Sequence, residues 1–127
     1  MASFSGYICE TDDVNIFFLD LKNKRLIFYI GKETGSIVIP SFEDYQILKS
    51  YDVSKCNPID EKRAKKYKIK LVRIYNAMFE PYYLYNIYRL SSRKNKVYIL
   101  EYYNAFTAEN EYKVFKRFTD ALAEIYD

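Results

Sequence analysis

The side chains that could do chemistry in this chain are carboxylates, lysines and tyrosines, because its 127 residues include no histidine. Without histidine there is no Ser-His-Asp or Cys-His nucleophile pair, no imidazole metal ligand and no general base that titrates near neutral pH. No G-x-x-x-x-G-K-[ST] or G-x-G-x-x-G loop occurs, so no phosphate-cradling nucleotide site is written in the sequence. Carboxylates remain. Asp12-Asp13, Asp60-Glu61 and the acid–lysine pairs Asp20/Lys22 and Glu111/Lys113 could be assembled into a metal-dependent nuclease, which needs several acids converging beside a lysine. But Asp20 and Lys22 fall in an expected turn, and Glu111 and Lys113 point to different sides of an expected helix. The sequence therefore favours a protein that is not an enzyme and needs no cofactor or metal.

The distinctive signal is basic and aromatic. Residues 62–96 carry eleven basic side chains and one acidic one, whereas both flanks are net acidic, and nine of the fifteen tyrosines fall between Tyr67 and Tyr103. Lysine and arginine contact phosphates or carboxylates, and tyrosine rings stack on bases or fill protein interfaces. The candidate binding residues are Tyr88, Tyr103, Arg89, Arg93, Lys94, Lys96, Lys66, Lys68, Lys70 and Arg73. An acidic protein surface is the expected partner, with nucleic acid bound by the same residues as the alternative and a homodimer left open. Plain sheet tyrosines beside solvated lysines account for the same pattern without any binding role.

The elements that must position these residues follow from periodicity. Residues 82–90 and 97–103 read as two strands joined by a polar, basic turn at 91–96. A turn centred on Arg93 and Lys94 places Asn86 opposite Glu101, Tyr88 opposite Ile99 and Leu84 opposite Tyr103. The polar pair marks that side as the solvent face. It would then expose Leu84, Tyr88, Ile99 and Tyr103 as a patch, although a one-residue slip would change which side chains share a face.

Upstream, residues 14–19 and 26–30 are apolar on both faces, as in strands covered on two sides, and form a first hairpin through a turn at 20–25. Tyr7–Cys9 leads it and residues 36–39 follow. Ser41, ahead of Glu43 and Asp44, caps a short helix whose apolar face is Phe42, Tyr45, Leu48 and Tyr51. Residues 61–66 form an exposed helical turn or loop. Tyr67, Ile69 and Leu71 alternate with Lys68 and Lys70, as in an edge strand with one lysine-bearing face, ending at Glu80-Pro81. Residues 109–126 read as one amphipathic helix, capped by Thr107 or Asn104, whose stripe of Val114, Phe115, Phe118, Ala121, Leu122 and Ile125 is core.

The expected fold is therefore α+β: an antiparallel β-sheet built largely from two hairpins, one short central helix, and one amphipathic C-terminal helix packed on the sheet. The whole chain, 1–127, reads as a single compact domain. Cys9 and Cys56 read as reduced, buried thiols. The longest apolar run is far below the roughly 18 residues of a membrane span, and residues 1–15 lack a secretory pattern. These readings place the protein in the cytoplasm, away from membranes. In type, the chain resembles small accessory proteins of viruses, phages or mobile elements, among them inhibitors that act by occlusion.

Overall fold

Ile, Phe, Leu and Tyr crowd the first third of the chain and force it into strands that can be covered on both sides. The computed structural model describes residues 5–21, 24–79 and 83–126. In it, β1 (Ser5–Glu10), β2 (Val14–Leu21), β3 (Lys24–Gly31), β4 (Ile37–Val38) and β5 (Asn57–Pro58) form an antiparallel sheet of order β4-β3-β2-β1-β5. Gly6 lies where β1 approaches β2 closely. A Cβ there would stand 1.9 Å from the Phe18 carbonyl oxygen, and φ is +150°. A second antiparallel sheet follows, with β6 (Lys70–Phe79), β7 (Tyr83–Ser91), β8 (Lys96–Asn104) and β9 (Glu109–Phe115) in sequence order. The expected antiparallel α+β fold is present, each hairpin being enlarged into its own sheet. The turn residues Lys22 and Asn23, the break at Glu80-Pro81, and Tyr82 lie outside the described residues.

The sheets pack face to face. Ile8, Phe17, Leu19, Leu26, Phe28, Ile30 and Ile37 of the first meet Leu71, Leu90, Val97 and Ile99 of the second, with Ile69 just ahead of β6. The other face of the first sheet, centred on Phe18 and Ile27, is covered by Tyr45 and Leu48 of α1 (Phe42–Leu48) and by Val53 of a 3-10 turn (Val53–Lys55). The other face of the second sheet lies under α3 (Phe118–Tyr126), where Ala121, Phe118, Leu122 and Ile125 meet Ile87, Tyr98 and Leu100. The α2 helix (Glu61–Tyr67) leads into β6. It is capped by Asp60 and ends at Lys68 in the left-handed conformation, φ 56°. Tyr67, at its end, sets its ring edge-on to Phe17 at 5.5 Å.

Three expectations are corrected here. The C-terminal helix is shorter than its stripe suggests, because residues 109–115 pair with β8 from Tyr98↔Phe115 to Asn104↔Glu109. Val114 and Phe115, neighbours in a helical stripe, point to opposite faces of a strand, one into each core. Asn104 caps a turn instead, its Oδ1 accepting from Phe106 N at 2.9 Å. Second, Cys9 and Cys56 are not free thiols but a disulfide, with Cα atoms 4.7 Å apart. Third, Phe42 is 76% exposed, so the apolar face of α1 is Tyr45 and Leu48, while Tyr51, just past the helix, stacks on Phe18 with centroids 5.6 Å apart. Ser41 caps that helix as expected, accepting from Asp44 N at 3.2 Å.

Candidate functional site

The inner face of the second sheet is built in rows across its four strands, and the register assigns each side chain to one. Leu71, Leu90 and Val97 lie under the first sheet; Arg73, Tyr88, Ile99 and Val114 come next; Asn76, Asn86, Glu101 and Tyr112 form a third row. Beyond these lie Met78 opposite Leu84, and Tyr103 opposite Asn110. A β-bulge between Arg73 and Tyr75 makes this possible. It turns both Ile74 and Tyr75 toward α3 and returns Asn76 and Met78 to the inner face.

The third row is a hydrogen-bonded chain. Asn76 Nδ2 donates to Asn86 Oδ1 (2.8 Å), Asn86 Nδ2 donates to Glu101 Oε1 (2.9 Å), and the Tyr112 hydroxyl donates to Glu101 Oε2 (2.7 Å). Asn86 and Glu101 are each only 3% exposed. The sequence pairs these two residues correctly but misplaces their face: they are buried because they satisfy each other and Tyr112, which offsets the cost of taking polar groups from water. Ile99 is likewise fully buried, and Tyr88 is half-buried against the core rather than presented to solvent.

The row also tunes its phenols. Burial first, then the hydrogen bond to Glu101 and its charge, hold the Tyr112 hydroxyl far above the ordinary phenol range. Burial and the Glu101 charge raise Tyr88 also, with Arg73 pulling the other way. Above about pH 10 the unfolded chain loses the Tyr112 proton while the folded chain keeps it. Stability present below that pH is therefore lost as pH rises, by about 1.4 kcal/mol per unit while the folded phenol stays neutral. Tyr112→Phe should lower stability at pH 7 yet flatten this alkaline limb by about one proton. Urea midpoints measured across the alkaline range would show it, and parallel limbs for both proteins would refute the assignment.

Past the polar row the sheet is not covered by the first sheet. Met78 is 76% exposed, Tyr103 44% and Leu84 38%, and Phe106 projects fully into solvent from the β8–β9 turn. On the other face of the same end, Phe79, Tyr83 and Tyr85 with Ile125 and Tyr126 line a shallow cleft of about 310 Å³. The hydroxyls of Tyr75 and Tyr126 are hydrogen-bonded beside it.

The predicted binding residues do not form one surface. Tyr103 lies at the aromatic end. Lys70 and Lys96 lie at the opposite end of the strands, seven residues and roughly 23 Å from Tyr103 along β8 in the case of Lys96. Arg89 shares their outer face, opposite Tyr98, whereas Arg73 is on the inner face opposite Tyr88. Arg93 and Lys94 occupy the β7–β8 turn. Lys66 lies on α2 with its ammonium 5.3 Å from the Tyr67 ring, and Lys68 ends that helix. The turn itself is fastened to the first sheet. Asn95 Oδ1 accepts from Ile37 N (2.7 Å), Asn95 Nδ2 donates to Ile37 O (3.0 Å), and Ser92 Oγ donates to Gly35 O (2.9 Å). No periodicity marks Asn95, whose partner is 58 residues away.

Of the residues weighed for catalysis, Asp60, Glu111 and Lys113 are engaged elsewhere. Asp60 caps α2 and pairs with Arg63. Glu111 and Lys113 share the outer side of β9 rather than opposite sides of a helix, Glu111 accepting from the Tyr102 hydroxyl and Lys113 pairing with Glu124. Among the described residues no three acidic or cysteine side chains gather as a metal site, and no helix is long and apolar enough to cross a membrane. Compared with protein-family models, curated proteins and solved structures, the chain finds no match.

Proposed function

We propose that this chain is a non-enzymatic protein-binding module, acting by occlusion in the manner of an inhibitor or accessory protein, and that it docks through the aromatic end of its second sheet. The supporting observation is how exposed apolar side chains are distributed. Seven of the eleven large exposed hydrophobic residues among the described positions lie at this one end, three on the inner face, three on the outer face and Phe106 at the turn. Contiguous exposed apolar surface is characteristic of interaction sites. Aromatic residues and methionine are enriched at interface cores, where they bring large area at low entropic cost.

The partner that fits presents an apolar patch to this end, whose rim carries both signs of charge: Glu109, Glu111 and the ion pair of Lys113 with Glu124. Lys70 and Lys96, expected from the sequence to meet an acidic partner, lie at the far end of the strands instead. The Cys9–Cys56 bridge favours a compartment that preserves disulfides over the expected cytoplasm.

The test uses side chains too exposed to matter for folding. Met78→Asp and Phe106→Asp should melt as the parent does, yet bind the captured partner roughly 30-fold or more weakly, as for loss of an interface hot spot. Lys70→Glu and Lys96→Glu, at the other end, should bind it normally. The opposite pattern would move the docking surface to the basic end.

A further inference from the structure

We infer that the end of the second sheet opposite the aromatic patch is a separate site for the phosphate backbone of a nucleic-acid duplex, held by Lys70, Arg89 and Lys96. This does not depend on the protein-docking reading, which concerns the other end of the strands. The register sets the geometry. Lys70 pairs with Ser91 and Ser91 with Lys96, so these three stand in one row across three adjacent strands of the outer face. Arg89, in the next row between Val72 and Tyr98, shares that face. Two strand spacings put the Lys70 and Lys96 backbones roughly 9–10 Å apart, with the Ser91 hydroxyl between them.

The α3 helix leaves this row open. It starts with Phe118 beside Tyr98 and Tyr75, ring centroids 5.9 and 6.2 Å away, and runs toward the aromatic end. The turn joining β7 and β8, which carry Arg89, Ser91 and Lys96, is fastened to β4 through Asn95. Among the described residues none of Lys70, Arg89 or Lys96 takes part in an ion pair, and Asp120 at the start of α3 is already held by Arg117.

Two features select a duplex backbone over other polyanions. No large exposed hydrophobic residue lies on this row, so the aromatic anchors of a protein interface are missing. Rings for stacking unpaired bases are missing as well, since Tyr98 is 8% exposed and Tyr103 is at the other end. What remains is positive charge with a hydroxyl, the equipment of sequence-independent phosphate contact.

The test is a salt titration of binding to a mixed-sequence DNA duplex and the corresponding RNA duplex, with single strands and poly-glutamate as comparisons. Three phosphate contacts give a slope of log K against log salt of about −2.7, and each lost contact flattens it by about 0.9. Lys70→Ala and Lys96→Ala, both at exposed positions, should each do so by about that amount whatever the duplex sequence, with melting unchanged. Phe106→Asp should leave the slope alone, which separates this site from the protein-docking end. Three results would overturn the inference: no duplex binding at low salt, a slope indifferent to both lysines, or tighter binding to single strands or poly-glutamate than to duplex.

Discussion

Breaking the Cys9–Cys56 bridge is expected to lower the free energy of unfolding by about 4 kcal/mol, the chain-entropy value for a loop of this size. The two cysteines are 47 residues apart in sequence. They join β1 to the segment that carries α1 and the 3-10 turn. That segment covers Phe18 and Ile27, so the loss is not only a matter of the unfolded ensemble. Once the tether is gone, the covering segment keeps half-buried Tyr45, Leu48 and Val53, the Tyr51 ring stacked on Phe18, the Tyr45 hydroxyl donating to the Arg25 carbonyl at 2.8 Å, and the Arg25 guanidinium donating to the Lys49 and Tyr51 carbonyls. Denaturant midpoints with and without reductant, and for Cys56→Ser, measure the effect. A midpoint indifferent to reductant would show that the bridge carries none of the stability.

Phe17→Ala should cost about 3–5 kcal/mol, a large share of the 5–15 kcal/mol by which a domain is usually stable. Phe17 has no exposed surface and stacks on Phe28 across the β2–β3 pair, with centroids 5.0 Å apart and planes within 8°. Tyr67 packs edge-on against its ring. Truncation therefore leaves a cavity bounded by both sheets and α2, which cannot collapse around it. The control is Phe42→Ala, expected within about 0.5 kcal/mol of the parent because that ring is 76% exposed. Equal losses for the two variants would contradict the placement of the core.

The contrast between these two phenylalanines also marks what can be read from the sequence. Both sit in apolar patterns, and pattern alone ranks them together. Doubly covered strands around Phe17 and Phe18 were legible because neither face carries charge. The second hairpin was legible because its turn residues, Ser92 to Asn95, are all polar; a turn centred there suggests the pairing of Asn86 with Glu101 and Tyr88 with Ile99, and the strands adopt it. The orientation of that hairpin was not legible. A buried carboxylate looks like a surface one until Asn86, Tyr112 and Tyr88 are known to converge on it. Residues 109–115 misled for a related reason: Val114 and Phe115 suit one helix stripe or two sheet faces equally, and the choice is made by the pairing with β8.

At the candidate site, sequence gave the residue types but ran them together. Basic and aromatic positions intermingle along residues 67–103, yet antiparallel strands carry them to opposite ends: Lys70, Ser91 and Lys96 at one, Phe79, Tyr83 and Tyr103 at the other. Linear adjacency of charge and ring is therefore a poor guide to a shared surface in a meander, and the bulge at Ile74 adds a shift that no alternation pattern reveals.

The strand order has a kinetic consequence. Every pairing among the described strands joins sequence neighbours, except that of β1 with β5. Neighbouring strands meet by closing short turns, a fast and local search, whereas β5 must return across most of the first half of the chain to find Tyr7 and Ile8. Cys9 and Cys56 lie directly beside that pairing. The covalent cross-link thus secures the strand pairing of lowest encounter probability, and in the oxidised chain that closure is already made before refolding begins.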